Sequence, residues 1–235
     1  MTDFKVFVNF KTYPQGTGEK AVELAKAIRE VSQVSQVSGE SGIQIIPVVQ
    51  AVDVFQVRQA VDIPVWVQHL DFQPQGQFTG WVNLEAIVEA GASGTLLNHS
   101  EHQIPPGTIK QILSKIQNTK YKIQNFEVMV CCKTLGQMER LVKLKPDFIG
   151  YEISELIGGE VSIVDRDSKS VKHALEICGK TPLVVGAGVH KAEDLKRVRQ
   201  LGCAGVLISS AIVLADDPKQ KLREIFKLII SAQEV

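Results

Sequence analysis

The stretch Pro182–Ile208 reads PLVVGAGVHKAEDLKRVRQLGCAGVLI. It opens on a short apolar run, Pro182–Gly186, whose length and composition predict a strand. After a turn of small residues, Lys191–Leu201 is predicted helical. Gly202 ends it, because glycine takes the left-handed backbone that closes a helix. Gly205–Ile208 is a second apolar run. Neither run alternates polar with apolar, and near-continuous apolar strands are those covered on both faces. A strand, a helix and a strand in so few residues predict parallel pairing through a crossover helix.

The same unit recurs toward the N-terminus. Lys5–Asn9 is a predicted strand, followed by a helix with Thr17 as its cap and Glu19 in its first turn. Ala21, Leu24, Ala25 and Ile28 share one face of that helix. Gln44–Val49 is a second strand, with Pro47 expected at its end or at a bulge because proline cannot donate to a ladder. Val52–Ala60 is a short helix and Pro64–His69 a third strand. Asn83 caps a helix that turns Leu84, Ile87 and Val88 inward and closes at Gly91. Gly94–Asn98 is a fourth strand and Pro106–Gln117 its helix. Phe126–Cys131 precedes a helix with Leu135, Met138 and Leu141 on one side. Asp147–Tyr151 precedes a long loop and a helix around Ser168–Cys178. Asp217 and Pro218 open a last helix whose inward face is Leu222, Ile225, Phe226 and Ile229. The polar stretch Ser32–Ser41 is expected to be a flexible extension. Eight strands, each followed by a helix, predict an α/β chain forming a single (β/α)8 barrel over residues 1–235. A doubly wound open sheet is the alternative that the rhythm leaves open.

Bulk properties narrow the function. Among the 235 residues, 26 Lys and Arg balance 26 Asp and Glu. A balanced charge gives no footprint for nucleic acid or an anionic membrane, so any anion must be held locally. There is no run of 18 apolar residues, and no membrane span is expected. The N-terminus lacks a basic region followed by an apolar one, so no signal peptide is expected and the cytoplasm is the expected location. Cys131, Cys132, Cys178 and Cys203 sit among apolar neighbours with no C-x-x-C spacing, and are expected to be reduced thiols.

In such barrels the reactive groups lie at the C-terminal ends of the strands. Strand one ends in Asn9 and Lys11, strand four in Asn98, His99, Ser100 and Glu101, and strand six in Tyr151 and Glu152. Strand seven ends in Gly186-Ala-Gly188 and strand eight in Ser209 and Ser210. Singly, each residue has an ordinary reading: a solvated lysine, a hydrogen-bonded histidine, a carboxylate capping a loop. Together they form a coherent set. Small-residue turns before helix N-termini suit a phosphate, because backbone N–H groups and the helix dipole favour an anion. A carboxylate, an imidazole and an ammonium suit proton transfer beside a carbonyl. No H-x-x-x-H set, Asp/His cluster or cofactor fingerprint is present, so neither metal nor cofactor is expected.

Val8-Asn-Phe-Lys-Thr-Tyr13, Leu97-Asn-His-Ser-Glu101, Tyr151-Glu152 with Glu155-Leu-Ile-Gly158, and Gly186-Ala-Gly188 resemble the triosephosphate isomerases, most closely their short archaeal-type branch. Gln68-His69 and Thr79-Gly80 also look like that family. The likeness runs in order from the first strand to the last helix. It implies a TIM barrel that interconverts dihydroxyacetone phosphate and D-glyceraldehyde 3-phosphate without a cofactor. It implies Lys11, His99 and Glu152 as catalytic groups, with Glu101 supporting them. It implies Asn9, Phe10, Lys11, Ile157, Gly158, Gly188, Ser209 and Ser210 as substrate contacts. Homo-oligomers, dimer or tetramer, are also implied, with contacts in the region of His69, Trp66 and Trp81.

Two departures concern the family's closing loop. Ile153 and Ser154 follow Glu152 where the family has proline. Glu160 stands where Gly-Thr-Gly normally completes the loop. The first is expected to loosen the hinge, since proline restricts the open chain. The second puts a negative charge in the loop beside a bound phosphate, and is expected to point into water and be largely screened, with repulsion of the phosphate as the alternative.

Overall fold

A computed structural model describes residues 4–37, 42–118, 125–152, 168–186 and 191–230. Its strands are β1 (Phe4–Asn9), β2 (Ile43–Val49), β3 (Trp66–Val67), β4 (Gly94–Leu97), β5 (Glu127–Cys132), β6 (Phe148–Glu152), β7 (Leu183–Gly186) and β8 (Gly205–Ile208). Each pairs in parallel with the next, and β8 pairs with β1 to close a barrel. The open-sheet alternative is thereby excluded. The helices are α1 (Glu19–Val37), α2 (Val54–Ala60), α3 (Leu84–Glu89), α4 (Pro106–Asn118), α5 (Leu135–Leu141), α6 (Ser168–Cys178), α7 (Ala192–Gln200), α8 (Ser210–Val213) and α9 (Pro218–Ile230).

Side chains of the strands alternate between two cores, as a period of two requires. Phe7, Ile46, Val48, Trp66, Leu96, Met129, Cys131, Phe148, Val184 and Leu207 fill the barrel. Val6, Val8, Ile45, Val49, Val128, Val130, Val185 and Val206 point outward and pack under the helices. Inside, the ring centroids of Phe7 and Trp66 are 4.7 Å apart, and those of Phe7 and Phe148 are 5.9 Å apart. Gly94 lies opposite Trp66 in the ladder, and a Cβ there would stand 2.3 Å from the indole. Only glycine lets the barrel hold tryptophan at this level. At the N-terminal mouth, Lys5 on β1 reaches across to Glu127 on β5, with Nζ 2.8 and 2.6 Å from the two carboxylate oxygens.

Four sequence expectations need correction. Pro47 lies inside β2, not at its end, and pairs with Val8. Val48 accepts from Phe10 on the β1 side, while Val49 accepts from Gln68 on the β3 side. Alternation turns the proline nitrogen toward β3, whose ladder begins only at Trp66, so no donor is missed. For the same reason β3 is two residues long, not the six of Pro64–His69. Thr17 does not cap α1: its hydroxyl donates to the Tyr13 carbonyl, and Gly18 directs its N–H to Asp53. The stretch expected to be flexible from Ser32 is helical as far as Val37, and the Ser32 hydroxyl donates to the Ile28 carbonyl. Residues 38–41 lie outside the described set.

Other terminators stand as read. Asn83 Oδ1 accepts the Ala86 N–H, and Asp217 Oδ1 accepts the Gln220 N–H. Leu222, Ile225 and Phe226 are buried, while the side chain of Ile229 lies outside the described set.

Candidate active site

Asn9 ends β1 and is buried. Its Oδ1 accepts the N–H of Lys11 at 3.0 Å. Lys11 has φ 49°, a left-handed backbone uncommon for a lysine. That backbone is clamped from both ends, because Gln68 Nε2 donates to the Lys11 carbonyl at 2.9 Å. The clamp sends the ammonium across the rim, where Nζ lies 2.6 Å from Glu101 Oε1.

The end of β4 is anchored by Asn98, whose φ is 59°. Its amide donates to the Cys131 carbonyl at 2.8 Å and its Oδ1 accepts the Ile104 N–H at 3.0 Å. This tie to β5 holds the turn that carries His99. The N–H of Glu101 donates to His99 Nδ1 at 3.2 Å. A ring nitrogen that accepts carries no hydrogen, which leaves the ring hydrogen to Nε2. Nε2 lies 3.2 Å from Glu152 Oε1. Glu101 Oε2 stands 3.8 Å from Nδ1, beyond hydrogen-bond reach.

Glu152 ends β6 and is buried. Oε1 meets His99, whereas Oε2 is buried with no hydrogen-bond partner among the described residues. A buried carboxylate oxygen is costly to leave unpaired. Gly186, opposite Glu152 in the ladder, makes the room: a Cβ at Gly186 would lie 2.8 Å from Glu152 Cγ.

Lys11, His99, Glu101 and Glu152 therefore come together as the sequence reading placed them. Phe10 is placed differently. Its ring has no exposed surface and belongs to the layer between barrel and helices, so it offers substrate no side chain. Ser209 precedes α8, and its hydroxyl is buried without a partner among the described residues. The carbonyl of Ser209 accepts from Ile212 and Val213. Ile157, Gly158 and Gly188, together with the departures Ile153, Ser154 and Glu160, lie outside the described residues. In the sequence Gln68 stands out only as part of a family signature. A polar side chain at the end of the third strand was the signal for its supporting role.

The cysteines are free and buried. Burial pushes the Cys131 thiol well up, and the Glu152 carboxylate pushes it further. Cys132 and Cys203 are raised to about 12, also chiefly by burial. These are packing thiols, not nucleophiles. No cluster of three or more His, Cys, Asp or Glu that could hold a metal occurs among the described residues.

A closed parallel barrel with a carboxylate, an imidazole and an ammonium meeting at its C-terminal rim belongs to the class of barrels suited to proton transfer. The sequence model of the family described as triosephosphate isomerase matches residues 4–232. A triosephosphate isomerase of Methanosarcina acetivorans is 36% identical over 228 residues, covering 95% of this chain and 98% of the relative. One of Methanocaldococcus jannaschii is 33% identical, covering 95% and 99%. One of Thermoplasma volcanium is 30% identical, covering 95% and 100%. The chain belongs to the triosephosphate isomerase family. It is an enzyme, an isomerase of triose phosphates.

Proposed function

We propose that this chain, as one domain, interconverts dihydroxyacetone phosphate and D-glyceraldehyde 3-phosphate with Glu152 as the travelling base. Glu152 takes the proton from the carbon beside the carbonyl, leaving an enediolate. It returns that proton to the neighbouring carbon, while the hydroxyl proton passes from one substrate oxygen to the other by way of His99 Nε2, so that the carbonyl reforms on the carbon that was first deprotonated. The Nε2–H of His99 donates to the substrate oxygen as negative charge grows on it, and the Lys11 ammonium neutralises the same charge. Glu101 holds Lys11 in place and Asn9 holds its backbone. Gly188, Ser209 and Ser210 receive the phosphate through backbone N–H groups, and Ile157 and Gly158 close over it. No cofactor is required, since every step is a proton transfer between carbon, oxygen and these side chains.

One observation carries the reading. The hydrogen-bearing nitrogen of His99 and the carboxylate of Glu152 face each other at 3.2 Å, with the other ring nitrogen occupied by the Glu101 N–H. A coupled assay on glyceraldehyde 3-phosphate tests it. Glu152→Gln is expected to lower kcat by about 10²–10⁴-fold with little change in KM. Retention of kcat within about tenfold would remove Glu152 from the role of base.

We further propose a homo-oligomer, dimer or tetramer, in the cytoplasm. Phe72, Phe78 and Trp81 are 37%, 43% and 51% exposed on the loop after β3. Such an apolar patch marks an interaction face. The four free thiols suit a reducing compartment. Sedimentation should show an oligomer in the wild type, shifted to monomer by Trp81→Glu; a monomeric wild type refutes this.

A further inference from the structure

Beside the catalytic cluster two imidazoles meet. His69 follows β3 and His102 follows the turn after β4. Their ring centroids are 4.3 Å apart, with the planes inclined by 38°. His69 Nε2 lies 3.0 Å from Asp71 Oδ1. A carboxylate only accepts, so Nε2 carries the hydrogen. Asp71 has a second task. Its Oδ2 accepts the Val82 N–H at 2.9 Å and its own N–H donates to the Val82 carbonyl at 2.7 Å. These bonds close the base of the loop 72–81.

On the facing side, the His102 N–H donates to the His99 carbonyl at 2.9 Å. His102 thus closes the turn that carries His99 and Glu101. His69 in turn follows Gln68, which holds the carbonyl of Lys11. The ring contact joins the support of the lysine to the support of the histidine.

We propose that the His69–His102 contact is a proton-operated latch, shut while the rings are neutral and opened when both carry a proton. Neutral rings at this separation attract by dispersion and quadrupole contact. Two imidazolium rings repel, and the repulsion acts on both supports of the site. The titratable groups facing His69 are Asp71 from its own loop and His102 from the loop after β4. Glu101, next to His102, is turned to Lys11. Burial lowers the His69 pKa from its ordinary value, His102 acts in the same direction, and Asp71 opposes them. The latch is shut at neutral pH and opens on acidification.

The inference reads out through turnover and so rests on the isomerase activity, but not on Glu152 being the base. Its test compares wild type with His102→Phe, which keeps a ring in contact and takes no proton. At about pH 7.5 the two should have equal kcat/KM. On lowering the pH to about 5, the wild type should lose at least about twofold more kcat/KM than His102→Phe. Ionisation of the substrate phosphate affects both proteins alike and cancels. Equal acid losses in the two proteins overturn the latch. A second measurement needs no variant. Ring signals of His69 and His102, followed by NMR in the wild type, should titrate as a coupled pair. Two independent single-site curves overturn it too. Survival of activity in Glu152→Gln would displace the proposed base and leave this pH comparison intact.

Discussion

Glu152 and Gly186 face each other across the β6–β7 ladder, and the carboxylate occupies the space that any other residue at 186 would fill. Gly186→Ala puts a methyl 2.8 Å from Glu152 Cγ, so the carboxylate must move. A displacement near 1 Å costs about 10²-fold in rate. We expect kcat to fall by about that factor while the melting temperature shifts little; wild-type kcat in the purified variant would refute the steric account. At this scale the sequence was informative about residue types and silent about neighbours. Glu152 and His99 are recognisable from their motifs. That Gly186 serves the carboxylate as well as a turn depends on the ladder register, which no motif spells out. Phe10 shows the opposite failure. It sits inside a family signature, yet strand alternation sends its ring to the outer layer.

Among the elements, α9 shows how a cap reads from sequence. Asp217 precedes Pro218, and its Oδ1 takes the Gln220 N–H at 2.9 Å. Asp217→Ala leaves that donor to water and should cost about 0.5–2 kcal/mol in a denaturant titration, with kcat unchanged. No measurable loss would show that packing of Leu222, Ile225 and Phe226 alone fixes the helix. Caps at Asn83 and Asp217 were legible because the contact is local. Thr17 was not, because its hydroxyl is drawn back to Tyr13 and takes the Gln50 amide from another loop. Pro47 departs from its sequence expectation for a related reason. Whether a missing donor matters depends on which neighbour that side of the strand faces, and only the closed barrel answers that.

For the whole molecule, the rhythm of strand and helix favoured a barrel, because parallel strands covered on both faces leave few arrangements, and the pairing of β8 with β1 decides it against the open sheet. What the rhythm did not reveal is the pairing of distant charges, such as Lys5 with Glu127 across the mouth of the barrel. Nor did it reveal His69 against His102. Those contacts also shape stability as a function of pH. The His69 pKa is lowered in the folded protein, chiefly by burial. Below the unfolded value, about 6.5, the unfolded chain therefore binds the proton more readily. Stability from this group is complete above that pH and is lost as the pH falls toward the folded value. The urea midpoint of the wild type should drop across this acidic window, and that of His69→Asn should drop less; parallel slopes would exclude His69 as the source.

The two tryptophans of the chain occupy opposite environments, and this gives the molecule two separate optical signals. Trp66 has no exposed surface and is packed against Phe7, whereas Trp81 is 51% exposed on the loop after β3. Blue-shifted emission therefore comes from the barrel interior, and iodide-quenchable emission from the loop. A red shift of the first marks global melting. Protection of the second marks a partner arriving on that loop, so assembly and unfolding are distinguishable in one cuvette without a label.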